Sequence, residues 1–229
     1  MTKKTAKSLT RSSAWTACAV TLALQVAGCT GDLLQSDVEV PDTFRLGVAA
    51  ATEPAAAGAA SEWAIAVARP RAAAAIDTDR IAVYSAGNRF DYYADARWAE
   101  SAPQMLQQNL ASALAATAQF GGGVVTAPAR VPTEFLLDVE LRQFEVVTAD
   151  VDAAASGAAP VVRVQVQASL VDTRHMARVT SFVSEASVPA TANQLGAVVA
   201  AFDRANAQVV RDVAARVQAA AAALPVQSQ

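Results

Sequence analysis

The chemistry in this 229-residue chain concentrates at one thiol. Cys29 closes the run Leu24-Gln25-Val26-Ala27-Gly28-Cys29. Small residues at 27 and 28 leave room for a peptidase to reach the bond before the cysteine, and the Cys29 thiol is the nucleophile that takes a diacylglycerol. What precedes it fits that chemistry. Lys3, Lys4, Lys7 and Arg11 form a basic head, and Ala14 to Leu24 form an apolar core of signal-peptide length. A chance cysteine in an ordinary apolar helix does not explain why head, core and small-residue site fall in this order. A transmembrane anchor fits less well. The apolar run is shorter than the ~20 residues a span needs, and no basic stop-transfer cluster follows it.

Residues 1–28 are therefore expected to leave as a signal peptide. The mature chain then begins at Cys29, carrying covalent diacylglycerol and an N-acyl lipid. Cys18 departs with the signal, so no disulfide or free-thiol chemistry remains within one chain. One acyl chain binds membranes marginally, whereas two or more anchor stably. Thr30, not aspartate, follows the cysteine, which favours the periplasmic face of the outer membrane over inner-membrane retention. Residues 29–43 make a lipidated N-terminus and tether. The thirteen residues Thr30 to Asp42 span at most about 43–47 Å when fully extended.

The remainder offers little catalytic material. His175 is the sole histidine and falls in an expected turn. There is no G-x-S-x-G elbow and no Cys/His set for zinc. Asp77 and Asp79 are the nearest thing to a metal-binding carboxylate pair, and they read better as loop caps. Four of the 18 basic residues lie in the signal, so 14 stand against 21 acidic residues in the mature part, a net charge of −7. Such a body disfavours nucleic acid as a partner. No lysine occurs after Lys7, which excludes a Walker A phosphate site. The composition thus points away from an enzyme and implies no cofactor beyond the lipid on Cys29. The one chemically dense cluster is Arg80, Arg89, Tyr92, Tyr93, Arg97 and Trp98. It reads either as packing between a hairpin and a helix, or as a protein interface, where Tyr, Trp and Arg are enriched.

The elements that would position this cluster follow from periodicity. Phe44 to Val48 is a candidate first strand, followed by a low-complexity loop over Ala49 to Ser61. Trp63, Ile65 and Val67 alternate with small residues as a half-buried strand does. Arg80 to Ser85 and Arg89 to Tyr93 form a hairpin around Ala86-Gly87-Asn88, and Ala94 to Trp98 leads toward a helix. That helix is capped by Ser101, carries Leu106, Leu110, Leu114 and Thr117 at helical spacing, and closes at Gly121-Gly122-Gly123. In Glu134 to Val147 the apolar parity switches between Leu141 and Phe144. Since a one-residue shift flips every side chain, a bulge is expected near Arg142–Gln143. Val162 to Leu170 alternates strictly, a turn follows at Asp172 to His175, and Ala177 to Val188 returns, so these three segments predict an antiparallel meander. A last helix carries Leu195, Val199, Phe202, Val209, Val213 and Val217 as its stripe. Thr191 and Gln194 stand at capping-box spacing before it, and it ends near Ala223. Arg211, Asp212 and Arg216 exclude it as a membrane span. The sum is an α+β chain: a single domain over 44–224, with a mixed, largely antiparallel sheet and two main helices, preceded by a lipoprotein signal peptide.

Several of these stretches also resemble a known family. Ile76 to Val83 (IDTDRIAV), Tyr92 to Trp98 (YYADARW), Phe135 to Phe144 (FLLDVELRQF) and Val199 to Ala205 (VAAFDRA) are similar to segments of the ABC-type transport auxiliary lipoproteins. The likeness covers about Phe44 to Val217 and departs mainly in the alanine-rich loops. It implies an outer-membrane lipoprotein that accompanies an ABC transporter with an MCE-domain protein, moving phospholipid or other lipophilic molecules between membranes. It carries no catalytic residues with it. The partners so implied are the MCE-domain protein and the membrane holding the anchor, with self-association left open. Two other readings stand beside it: a lipoprotein that positions another envelope machine such as cell-wall synthesis, and a periplasmic lipid carrier.

Overall fold

The computed structural model describes residues 41–47, 62–117, 119–128, 131–148 and 159–224. The lipid-attachment run, the tether up to residue 40 and the loops at 48–61 and 149–158 lie outside the described residues. Within them the chain is mixed α+β, with nine strands in one open sheet and two helices.

Strand β7 (Phe135–Thr148) is the spine. Along one edge it pairs antiparallel with β8 (Val161–Asp172), which pairs antiparallel with β9 (Ala177–Pro189). The predicted meander is thus present. Three short strands share the other edge of β7 in succession, all parallel to it. They are β2 (Ala64–Val67), β3 (Arg71–Ala72) and β4 (Arg80–Ser85). Beyond β4 lie β5 (Arg89–Trp98) and β1 (Asp42–Phe44), and beyond β2 lies β6 (Gly123–Thr126). The antiparallel ladders are the long ones, while the parallel strands are brief additions.

The bulge falls where the parity switch requires it, with the β7–β8 register shifting between Leu141 and Gln143. Before the shift Phe135, Leu137, Val139 and Leu141 are buried; after it Phe144 and Val146 are. One extra residue keeps both apolar sets on the same side of the sheet. On β8, Val162, Val164, Val166, Ala168 and Leu170 are fully buried on that side beneath α2 (Leu195–Ala222), while α1 (Ala102–Ala116) packs on β2, β6 and α2. The opposite face of β8 and β9 is polar. There Gln165 donates to Glu185, Gln167 donates to the Ser181 hydroxyl, and Ser169 bonds Ser181. One apolar face and one polar face is the usual economy of an antiparallel sheet.

Several boundaries differ from expectation. The first strand is Asp42–Phe44, not Phe44–Val48, because its partner is the edge of β5, and Arg45 to Gly47 carry no ladder. Helix α1 ends at Ala116, where Thr117 Oγ1 donates to the Leu114 carbonyl. The glycines beyond do not cap it. Gly123, at φ +103°, opens strand β6 instead. Helix α2 has Gln194 as its N-cap, with no side-chain cap bond, so Thr191 stands too far upstream for a capping box. Its buried stripe is Val198, Phe202, Val209, Val213 and Val217. Leu195 and Val199 are only half-buried, on the stripe's margin.

Candidate functional site

The aromatic and basic cluster sits on the β4–β5 hairpin. Its turn is Ala86-Gly87-Asn88, with Gly87 at φ +79° and Asn88 at φ +61°. Two successive left-handed residues suit the twist of a tight hairpin. Tyr84 Oη donates to Asn88 Oδ1 at 2.5 Å and ties the turn down.

Strand β5 does not stop at Tyr93. It runs to Trp98, with a wide irregularity on the way. Ala82 pairs with Tyr92 but Arg80 pairs with Arg97, so two steps along β4 span five along β5. The slack bends the end of β5 under the helices. Trp98 is therefore only 1% exposed, with its ring centroid 5.1 Å from Phe202 and 5.8 Å from Phe144. This corrects its place among candidate interface residues: Trp98 is core. The sequence pattern ends this strand at Tyr93, whereas it continues through the irregularity to Trp98.

The other five candidates stay at or near the surface, each engaged differently. Arg89 Nη2 meets Asp91 Oδ2 at 3.0 Å, and Arg97 Nη1 meets Asp79 Oδ2 at 3.7 Å. All four side chains are about half exposed, where an ion pair contributes little stability. The Tyr92 backbone N–H and then the Arg89 guanidinium hold the Asp91 carboxyl below its ordinary value. Arg80 is stacked, its Cζ lying 3.8 Å from the Tyr92 ring centre, and the Tyr92 hydroxyl donates to the Ala75 carbonyl at 2.9 Å. Tyr93 is half-buried, and that burial pushes its phenol up. Phe90, absent from the sequence candidates, belongs with the cluster. It is 36% exposed, and its ring meets Tyr92 edge-on with centroids 5.5 Å apart. Only its flanks, Arg89 and Asp91, could have marked it in the sequence. The hairpin thus presents Phe90 and Tyr92, with Arg80 stacked on Tyr92, on one face and Arg89 with Asp91 on the other, as strand alternation requires, with Arg97 and Tyr93 further along.

The remaining titratable candidates have structural partners. Asp77 takes a forked contact from Arg69 at 2.6 and 3.1 Å, and the same guanidinium reaches Ser101 Oγ at 3.1 Å. That hydrogen bond holds the Asp77 carboxyl below its ordinary value. Asp77 and Asp79 therefore fix the loop entering β4 against arginines. His175 lies in the β8–β9 turn, mostly exposed, with Nδ1 2.8 Å from Asp172 Oδ2. Among the described residues no group of three or more His, Cys, Asp or Glu side chains could hold a metal ion. No helix among them is long and apolar enough to cross a membrane.

The family model for the ABC-type transport auxiliary lipoprotein component matches residues 44–214. The chain belongs to that family. The match spans the hairpin, the spine strand and most of α2. Family members are lipoproteins, which live anchored to a membrane of the cell envelope. No curated protein sequence matches the chain. Among solved structures it is similar to protein XCC0632 of Xanthomonas campestris, placed in the family DUF330. The TM-score is 0.70 and the identity 23%, over 79% of this chain and 97% of that one. A second, an uncharacterized protein, gives a TM-score of 0.57 at 12% identity, over 78% and 99% of the two chains. The hypothetical protein CT253 of Chlamydia trachomatis gives 0.47 at 10% identity, over 72% and 100%. At these identities the likeness concerns the fold. This auxiliary lipoprotein therefore shares its fold with the first two, and its surface chemistry has to be read from its own residues.

Proposed function

We propose that the protein is a non-catalytic, lipid-anchored accessory subunit of an ABC/MCE-type trans-envelope system that carries phospholipid or another lipophilic substrate. The observation that carries this reading is the family match over residues 44–214, most of the folded domain. The sequence adds Cys29 as the point of lipid attachment and Thr30 behind it, which favours the periplasmic face of the outer membrane. The task that fits such a subunit is docking. One end is fixed by lipid, and the folded domain offers a surface to an MCE-domain partner. The β4–β5 hairpin is that surface in our reading. It gathers arginine and aromatic side chains of the kind interfaces favour, on a turn braced by Tyr84 and Asn88. A carrier role has less to support it. A depression between Arg45–Leu46 and α1, lined also by Ala99, Glu100 and Asn109, encloses only about 10 Å³, room for about one water molecule. That lies below the ~300–1,000 Å³ usual for small-ligand sites.

The test is a pull-down of the MCE-domain protein from the same organism by the full-length lipoprotein. Arg89→Ala, Phe90→Ala and Tyr92→Ala are compared after each is checked for an unchanged melting temperature. Recovery with wild type and loss with at least one variant is the expected result. Wild-type recovery with all three variants binding equally would remove the hairpin from the interface. No recovery with wild type would overturn the transport partner itself.

A further inference from the structure

A second surface lies at the outer edge of β9. β9 is 13 residues long and pairs only with β8, so among the described residues its far side has no ladder. Long open edges invite pairing with another chain, and proteins commonly block them with proline, lysine or a covering segment. Here the only proline is the last residue, Pro189, and there is no lysine. Helix α2 packs on β9 from the core side, where Ser184, Ala186 and Val188 are buried. Arg204 reaches only the Pro189 carbonyl, and the Arg216 guanidinium stacks 5.1 Å from the Phe182 ring centre.

We infer that this edge pairs antiparallel with β9 of a second copy of the same chain, across a two-fold axis. The strand's own charges select the register. Its polar face carries Arg178, Ser181, Val183, Glu185 and Ser187, all exposed, with Val183 at 41%. Arg178 has no ionic partner among the described residues. Glu185 accepts one hydrogen bond, from Gln165 to Oε2 at 2.8 Å, which leaves Oε1 for another donor.

Antiparallel partners share a face, so only registers that put like faces together are allowed. With Phe182 on the axis, Ser181 faces Val183 of the second copy and Thr180 faces its Ser184. Val179 is the extra residue of the existing irregularity, because Thr180 pairs with Leu170 but Arg178 with Val171. Skipping it brings Arg178 opposite Glu185 of the second copy, on the polar face, twice by symmetry. The strand's two charges without an ionic partner thus satisfy each other, and two sheets become one. This surface is independent of the hairpin, and the inference stands whichever transporter the protein serves.

Charge reversal tests it with the full-length lipoprotein in mild detergent, its protein mass measured by light scattering. Wild type is expected to be a dimer that dissociates on dilution. Arg178→Glu places two acidic pairs across the axis, and Glu185→Arg places two basic pairs. Each should raise the dimer dissociation constant about tenfold or more, since opposed like charges on paired strands repel. Each variant should keep the wild-type melting temperature of a monomer at the same dilution. Mixing the two single variants, differently tagged, restores both opposite-charge pairs in the mixed dimer, so co-purification of the two tags should return. A monomeric wild type at every concentration would overturn the inference. So would an oligomer that neither reversal weakens, or two weakened variants that do not recover on mixing.

Discussion

Replacing Phe202 by alanine tests the central packing argument most directly. Phe202 sits in the first third of α2 at 0% exposure, its ring 5.1 Å from Trp98 and 4.9 Å from Phe144. These three rings join the helix, the bent end of β5 and the post-bulge half of β7. Truncating a buried phenylalanine costs about 3–5 kcal/mol through lost transfer energy and the cavity left behind. The value here belongs toward the upper end, because two aromatic contacts, each worth about 0.5–1.5 kcal/mol beyond area, vanish together. A domain of this kind has about 5–15 kcal/mol in total, so the variant should fold but with little margin. With a urea dependence of about 2 kcal/mol per molar, a loss of about 4 kcal/mol moves the midpoint down by roughly 2 M. The assay is urea unfolding of a soluble form beginning at Thr30, followed by Trp fluorescence and by circular dichroism. Trp98→Ala should lose a similar amount. The double variant should lose less than the sum by about 0.5–3 kcal/mol, as expected for side chains in contact. A midpoint shift under about 0.5 M for Phe202→Ala, or strict additivity, would refute the three-ring core and with it the placement of Trp98.

Three further outcomes are expected. Cys29→Ala should abolish incorporation of radiolabelled palmitate in cells and leave the signal uncleaved; retained label would refute lipid attachment at that thiol. Glu145 is 8% exposed, and burial pushes its carboxyl up, with Arg163 opposing in part. A raised folded value means that its stabilising contribution is full below the unfolded value and is lost as pH rises through the folded one. Glu145→Gln should therefore melt higher than wild type at about pH 7 and equally at about pH 3.5, where the carboxyl is protonated in both states; equal melts at both would refute the burial penalty. At Gly122 an added Cβ would stand 2.4 Å from the Glu62 carbonyl oxygen and 2.8 Å from the Ala64 nitrogen. Gly122→Ala should cost about 1–3 kcal/mol by overpacking the β2–β6 junction, whereas Gly196→Ala, with open space around it, should gain up to about 1 kcal/mol in the helix. Equal melting temperatures for the two would refute the close approach.

Much of this protein is local, and local features were readable from the chain. The period of two in β8, the period of 3.6 in α2 and the parity switch in β7 each follow from which residues must share a buried face. The lipid-attachment run is a contiguous motif read by enzymes, so it needs no fold at all, and it lies outside the described residues. The hairpin turn was legible because Gly87 and Asn88 are the residue types that tolerate positive φ. What the chain alone did not reveal is non-local. β3 is two residues long and β6 opens on a glycine; such pieces have no periodicity and exist only because β7 and β2 offer an edge. The parallel pairings depend on residues far apart in sequence, which no window sees. The same holds at the site. Composition assembled Arg80, Arg89, Tyr92, Tyr93, Arg97 and Trp98 as one cluster. Tertiary structure then divided it, because the slack between Tyr92 and Arg97 turns Trp98 into the core while Phe90 stays on the surface. Which side chain faces water is decided by strand register and by what packs above, and both are set by the whole fold acting on the residue.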